Sequence, residues 1–345
     1  MSRRPPDLEG VRVGIDARSL RIGPAGIATY VRNLMARIPW LEPLEDPRPS
    51  NNLLWNHSRP LWAQWRRKWH IYHAPTYTLP LLNFCKVVLM VADISYLVRD
   101  EWYPYANDPL RRRYYRASLF RAHRILVPSD FTAGELVRLF PALKERIRRV
   151  YLGVSPDFRP RPRLGEQVRK RLDLPRRFVL HVGDIHPRRN LDALAEACRS
   201  LQLPLVLVGK VLRGGEGLVG HSRHLSDLSL QDLVGVYNAA SAMGYPSSYE
   251  GFGFPMVEAM ACGLPVVASN RSCLPEVAGE GALLVDPVPR DLAQALGQVL
   301  DEPSKWMERG RRNAARFTWD NTARQTLQVY RELIGSSRPD LRGAK

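Results

Sequence analysis

The sequence predicts an α/β protein of parallel, Rossmann-like βαβ units, and its 345 residues suffice for two domains of ordinary size, each with its own core. Three observations carry this. Short apolar runs at 11–16, 86–93, 178–183, 203–209 and 265–268 have the valine and leucine character of strands buried on both faces. Helical stretches separate them, the alternation expected of a parallel sheet. One unit is spelled out in full at 242–268: a strand end, a glycine loop, a short helix and a buried strand.

Taken in order, Val11-Arg12-Val13-Gly14-Ile15-Asp16 reads as the first strand, followed by a loop, Gly23-Pro24-Ala25-Gly26, and a helix over 27–37. Gly26 would let a ligand approach the backbone at the strand's C-terminal edge; an ordinary βα turn is the plainer account. Residues 41–60 are rich in Pro, Asn and Arg without a clear period and read as a loop. In 61–69, Trp62, Trp65 and Trp69 share one helical face, which suits either packing into the core or an interfacial helix on an anionic bilayer. A strand at 70–75 and a buried strand ending in Ala92-Asp93 follow. The helix at 109–124 carries Arg111, Arg112, Arg113, Arg116 and Arg121, a solvated face or a surface for anionic lipid. After a strand at 125–129, Ser129 is placed to cap a helix over 132–139. The Pro- and Arg-rich stretch to 164 reads as a linker. Beyond it come a strand ending at Gly183, the turn Asp184-Ile185-His186-Pro187-Arg188-Arg189-Asn190, a helix, a strand at 203–209, a glycine-rich flexible loop at 210–225, and a helix capped by Ser229.

The chain is organised around residues 245–267. Gly251 and Gly253 allow a loop whose amides lack side-chain cover. Pro255 suits the start of the next helix and Gly263 its end. A glycine loop opening a helix in a βαβ unit offers N–H groups and partial positive charge to an anion, most often a phosphate. Glu250 and Glu258 flank it. Each carboxylate can accept hydroxyl hydrogen bonds, so the pair suits a sugar on one side and a ribose on the other. A packing turn with merely solvated glutamates is the plainer alternative.

The stretch resembles the signature of glycosyltransferase family 4, retaining enzymes of the GT-B fold, without a gap through Ser-x-Tyr-Glu-Gly-Phe-Gly-x-Pro-x-x-Glu-Ala-Met-Ala-Cys-Gly-x-Pro-Val-Val. The turn Gly183 to Asn190 resembles the family's Gly-x-x-x-Pro-Arg-Lys-Asn, with Arg189 in place of lysine and Asp184 beside it. The resemblance implies two Rossmann-like domains facing each other across a cleft. Residues 1–155, completed by a C-terminal helix at 318–335, would bind the acceptor, and 156–317 the nucleotide sugar. It implies a hexosyltransferase in which Glu258 takes the ribose and Glu250 the sugar hydroxyls. Arg188, Arg189 and the amides of Gly251, Phe252, Gly253 and Phe254 would stabilise the leaving diphosphate, with Gly183 beside them. The turn at Leu228 falls where relatives hold the base through backbone groups. Asp93 is implied at the cleft edge, where Ala92 replaces the usual histidine, and Gly23 and Gly26 resemble the acceptor-side turn. The leaving phosphate is expected to take the acceptor's proton. No cofactor or metal is expected, since no Asp-x-Asp motif is present. Similarity to bacterial mannosyl- and rhamnosyltransferases points to GDP-mannose as donor, with UDP- and dTDP-sugars as the open alternatives, and to a glycan or lipid-linked acceptor of cell-surface polysaccharide or lipopolysaccharide synthesis.

Charge and cysteines bound the setting. Residues 1–150 hold 25 Lys+Arg against 13 Asp+Glu, a net of +12 within the chain's +17. An anionic surface or ligand is the natural partner, although arginine excess can also reflect genome composition. No segment reaches the roughly 18 apolar residues of a transmembrane helix, and no secretory signal is legible. Four cysteines without metal-type spacing fit a reducing cytoplasm, with a peripheral place on the inner face of the membrane as a further expectation. Three rivals stand beside this reading: a two-carboxylate hydrolase, against which the phosphate cradle argues; a catalytically lost GT-B scaffold; and a nucleic-acid binder, for which no module's motif is present.

Overall fold

The computed structural model describes residues 4–21, 25–45, 53–99, 102, 108–212, 214–215, 217 and 222–335. The chain divides into two units, one formed by 1–153 with 319–345 and the other by 154–318.

Unit 1 runs β1 (Val13–Asp16), α1 (Ala25–Arg37), β2 (Glu42–Leu44), α2 (Leu53–Arg67), β3 (Ile71–Ala74), β4 (Lys86–Met90), α3 (Ser95–Val98), α4 (Pro109–Arg121), β5 (Arg124–Val127), α5 (Asp130–Leu139) and β6 (Ile147–Arg149). Its strands lie in the order β2-β1-β3-β4-β5-β6, every neighbouring pair parallel. Unit 2 runs α6 (Pro162–Arg171), β7 (Val179–Val182), α7 (Leu191–Ser200), β8 (Leu205–Val208), β9 (Arg223–Leu225), α8 (Leu230–Ala239), β10 (Ala242–Tyr245), α9 (Phe254–Cys262), β11 (Val266–Ser269), α10 (Leu274–Ala278), β12 (Leu283–Val285), α11 (Pro289–Asp301) and α12 (Pro303–Ala314). Its order is β12-β11-β10-β7-β8-β9, again parallel throughout. The final helix, α13 (Trp319–Gly335), belongs to unit 1. Two parallel sheets are what the GT-B resemblance implies.

The central strands β1, β3, β7, β8, β10 and β11 are buried along their whole length, the condition that makes their sequences predominantly apolar. In unit 2, Leu191, Leu194, Leu205, Leu207, Leu292, Leu296 and Val299 form one core against the sheet. Local chemistry sets the helix ends. Ser129 accepts from the Thr132 amide at 3.2 Å and Ser229 from that of Asp232 at 3.1 Å, each satisfying an otherwise orphaned N–H. α9 is bracketed by Gly253 and Gly263, with φ of +88° and +77°, a left-handed backbone that only glycine adopts without strain.

Four expectations need correction. Residues 41–60 are not one loop: they contain β2 and the start of α2. β2 is a three-residue edge strand that pairs only with β1, where Pro43 is tolerated, so it has no apolar period to read. The three tryptophans do not share a face, because α2 stops at Arg67 and Lys68 turns the chain with φ +48°. Trp69 is buried, stacked on Tyr72 at 6.0 Å, with its indole N–H on Glu42 Oε2 at 2.8 Å. Trp62 and Trp65 are 51% and 66% exposed. Gly26 sits in the first turn of α1 rather than in a loop before it; Gly23 lies outside the described residues. The 210–225 segment ends in β9, an edge strand added to β8; several of its other residues, Gly220 included, are outside the described set.

α13 is tied into unit 1 through a buried imidazole. His73 of β3 has Nδ1 2.6 Å from the Tyr330 hydroxyl and Nε2 3.3 Å from that of Tyr30. Burial pushes its pKa down to about 3, so the ring is neutral and one hydroxyl donates while the other accepts. Thr322 Oγ1 adds a bond to the Tyr151 carbonyl at 2.8 Å. No helix among the described residues is long and apolar enough to cross a membrane.

Candidate active site

In unit 2 the strand order reverses between β7 and β10, the switch point at whose C-terminal edge ligands of such sheets bind. The two loops leaving that edge are 183–190 and 246–253. In the first, a single 3₁₀ turn, Pro187–Arg189, is capped by His186 Nδ1, which accepts from the Arg188 amide at 3.2 Å. Asn190 then takes a left-handed φ of +54° into α7. This tight turn sends Arg189 inward, where it is buried, and leaves Arg188 half-buried and Asp184 exposed. The two loops are clamped together by the Ser248 amide, which donates to the Arg188 carbonyl at 2.8 Å.

Arg189 pairs with Glu250. Its Nη1 also lies 3.3 Å from Ser247 Oγ and 3.4 Å from the Tyr245 hydroxyl. Tyr245 donates to Glu250 Oε1 at 2.7 Å, and Ser272 Oγ accepts from the Glu250 amide at 3.1 Å. Glu250 is thus buried, held from three sides, and neutralised by one guanidinium, the arrangement a buried carboxylate requires. Behind it the Tyr245 ring stacks on His181, with centroids 5.6 Å apart. His181 Nδ1 donates to the Gly244 carbonyl at 3.0 Å. Burial, reinforced by the Arg189 charge, lowers the pKa of this histidine to about 3 and keeps it uncharged.

Glu258 lies one turn into α9 and differs in kind. It is half-buried, its Oε2 accepts from the Tyr237 hydroxyl at 2.9 Å, and burial pushes its carboxyl up to about 7. Tyr237 comes from α8 and is fixed edge-on against Phe158, 5.7 Å away. Burial raises the pKa of the Tyr245 phenol, with the Arg189 charge opposing the shift and the Glu258 charge adding to it. The N-terminus of α9 faces the same edge, presenting amides and the positive end of the helix dipole.

The structure therefore gathers Gly183, Arg188, Arg189, Glu250, Gly251, Phe252, Gly253, Phe254 and Glu258 on the loops and helix that follow β7 and β10. The Phe252 ring is buried between Phe254 and Phe317, so only its backbone is available to a ligand. Leu228, half-buried, follows edge strand β9 in a turn where Asp227 has φ +52°. Asp93 and Gly26 belong to unit 1, where Asp93 accepts from the Ser95 amide and hydroxyl at 3.0 and 2.8 Å. Among the described residues no cluster of His, Cys, Asp or Glu suits a metal.

Residues 166–317, nearly all of unit 2, match the family described as glycosyl transferases group 1. The O-antigen chain mannosyltransferase B of Escherichia coli is 36% identical over 299 residues, 80% of this chain and 77% of that protein. The chain is a group 1 glycosyltransferase. The serotype-specific mannosyltransferase WbdA of Escherichia coli is 30% identical over 296 residues, 77% of this chain and 36% of WbdA. In fold, the transferase is similar to sucrose-phosphate synthase from Thermosynechococcus elongatus, with a TM-score of 0.77, 21% identity, and coverage of 95% of this chain and 100% of that one.

Sequence reasoning missed four side chains that hold the site: Tyr237, Tyr245, Ser272 and His181. It also missed a polar cluster at the switch point of unit 1, where buried Asp16, at the end of β1, is held by Arg18 Nε at 2.8 Å and the Tyr72 hydroxyl at 3.2 Å. The Asp16-x-Arg18 that closes the first strand is the local signal of that cluster.

Proposed function

We infer that the transferase moves a mannosyl group from GDP-mannose, with retention at the anomeric carbon, to a glycan or lipid-linked acceptor of cell-surface polysaccharide. The observation that carries this reading is the buried Arg189–Glu250–Tyr245 constellation set beside the N-terminus of α9. It is a carboxylate locked in place to accept hydroxyl hydrogen bonds, next to a site built for phosphate. The mannosyltransferase relatives support the choice of sugar.

In this reading Glu250 accepts from the transferred sugar's hydroxyls, and Arg189 acts through it as a positioning residue. Arg188 and the amides at the start of α9 take the diphosphate, where charge grows as the anomeric C–O bond breaks, so preorganised donors there lower the barrier. The acceptor hydroxyl forms the new C–O bond on the same face and gives its proton to the leaving phosphate oxygen, releasing nucleoside diphosphate. The reading calls for no metal. Glu258 accepts from the ribose hydroxyls, and those bonds favour its ionised form. Asp93 and the turn holding Gly26 stand on the acceptor's side of the proposal. We place the enzyme in the cytoplasm at the membrane face, where Trp62, Trp65 and the arginines of α4 suit anionic lipid.

A thermal-shift screen of GDP, UDP, dTDP and their common sugars against wild type and Glu258→Ala tests the reading. A nucleotide at 100 times its Kd adds about 2.7 kcal/mol of stability. GDP-mannose stabilising wild type and barely stabilising the variant is the expected result. Silence from every nucleotide would favour a catalytically lost scaffold, to which Ala92 and Asp184 also point.

A further inference from the structure

Unit 1 carries a basic cavity on the sheet edge opposite its switch-point edge. Strands β4, β5 and β6 are adjacent and parallel, so their first residues share one edge. Lys86 begins β4, Arg124 begins β5, and Arg146 immediately precedes β6. With Phe120, Arg121 and His123 they line a cavity of about 380 Å³. None of the described residues lining it is acidic.

Apart from Arg124, which shares a carboxylate, the cations are held by bonds that leave their charge in place. Arg146 Nη1 donates to the Phe120 and Ala122 carbonyls at 2.8 and 3.3 Å, and Arg121 Nη2 to the Leu79 carbonyl at 3.1 Å. Arg124 Nε meets Glu332 at 3.1 Å, but Glu332 also serves Arg148 at 3.0 Å. No carboxylate among the described residues pairs with the Lys86 ammonium. His123 Nδ1 accepts from the Val87 amide at 3.2 Å, so Nε2 bears the proton of the neutral ring and is a donor. Its pKa is lowered by burial and further by Lys86, Arg146 and Arg124, which line the same cavity. Concentrating like charges on a concave, partly buried surface costs stability and attracts anions. In the cavity wall Phe120 is 48% exposed, and the segment leading into Lys86 exposes Leu81, Leu82 and Phe84 by 61%, 69% and 63%.

We propose that this cavity binds a phosphate-class anion, a phosphomonoester or diphosphate, at a site separate from the one on unit 2. Forked guanidinium donors and a lysine point charge suit phosphate oxygens. The source is a soluble phosphate or the headgroup of an acidic lipid whose chains lie against Leu81, Leu82 and Phe84.

The test uses the full chain with unit 2's proposed diphosphate site weakened throughout by Arg188→Gln, and compares that protein with the same protein carrying Lys86→Gln, Lys86→Glu or, as a control for surface charge, Lys170→Gln at an exposed lysine of α6. Inorganic pyrophosphate is titrated calorimetrically, and co-sedimentation is measured with phosphatidylcholine vesicles with and without phosphatidic acid. Loss of the Lys86 charge should weaken binding about five- to tenfold, with reversal of the charge removing it and Lys170→Gln leaving it intact. Lys86-dependent pyrophosphate binding with Lys86-independent sedimentation identifies a soluble ligand. Sedimentation that needs both phosphatidic acid and Lys86 identifies a headgroup. Binding of neither probe, or binding indifferent to Lys86→Glu in a variant that melts like its Arg188→Gln parent, overturns the proposal.

Discussion

Replacing Glu258 by glutamine should stabilise the free protein while removing its response to nucleotide. A carboxyl raised from its ordinary 4.5 to about 7 withholds about 3 kcal/mol from the folded state once the pH passes 7. The sign follows from proton counting. Between those two values the folded protein keeps a proton that the unfolded chain has released, so the group's contribution is full below 4.5 and is lost as the pH rises through about 7. Glutamine cannot titrate, and every other group is common to both proteins, so their difference isolates this carboxyl. Urea denaturation of both proteins at about pH 5.5 and about pH 8 should show the variant gaining about 2 kcal/mol on wild type, nearer 1 if solvent at the open edge of Glu258 screens it. In calorimetry, wild-type affinity for the stabilising nucleotide should fall about tenfold per pH unit below 7, because the ribose hydroxyls must meet a carboxylate; the variant should bind weakly and without that dependence. A stability difference constant across the range would refute the reasoning, since Glu258 would then ionise as an ordinary surface glutamate.

Two further outcomes follow from groups buried beside it and in unit 1. Arg189→Leu leaves Glu250 buried without its cation and should cost about 3–5 kcal/mol in urea denaturation, whereas Arg188→Gln, half-buried, should stay within about 0.5 kcal/mol and weaken nucleotide binding; equal costs would mean that Arg189 does not hold Glu250. Tyr330→Phe removes a hydroxyl partner of His73 and should cost about 1–3 kcal/mol. Because burial holds His73 neutral, its contribution is present above the ordinary histidine value and is lost as the pH falls toward about 3; the advantage of wild type over His73→Gln should shrink along that descent in acid-unfolding curves.

Much of the fold and part of the site were legible in the chain itself. Continuous apolar runs marked β1, β4, β7, β8 and β11, because a strand covered on both faces has no polar side to show. Ser129, Ser229, Gly253 and Gly263 placed helix ends, since capping and left-handed backbone depend on a residue and its near neighbours. For the same reason the glycine loop, Glu250 and Glu258 stood out. Elements formed by partnership alone were not legible: β2 and β9 are short edge strands that exist through pairing with β1 and β8, and α2 ends where Lys68 turns.

By itself, then, the sequence determined the α/β class, the strand–loop–helix unit at 245–267 and the residues offered to an anion. Only the tertiary structure decided what those residues do to one another. Arg189 meets Ser247 across 58 residues, Tyr237 reaches Glu258 across 21, and His73 meets Tyr330 across 257. The strand order brings the ends of β7 and β10 together, and that juxtaposition decides which arginine is used internally, on Glu250, and which stays half-buried at the edge. It also buries Glu258 enough to raise its pKa, because desolvation depends on what surrounds a carboxyl in space rather than on its neighbours in the chain.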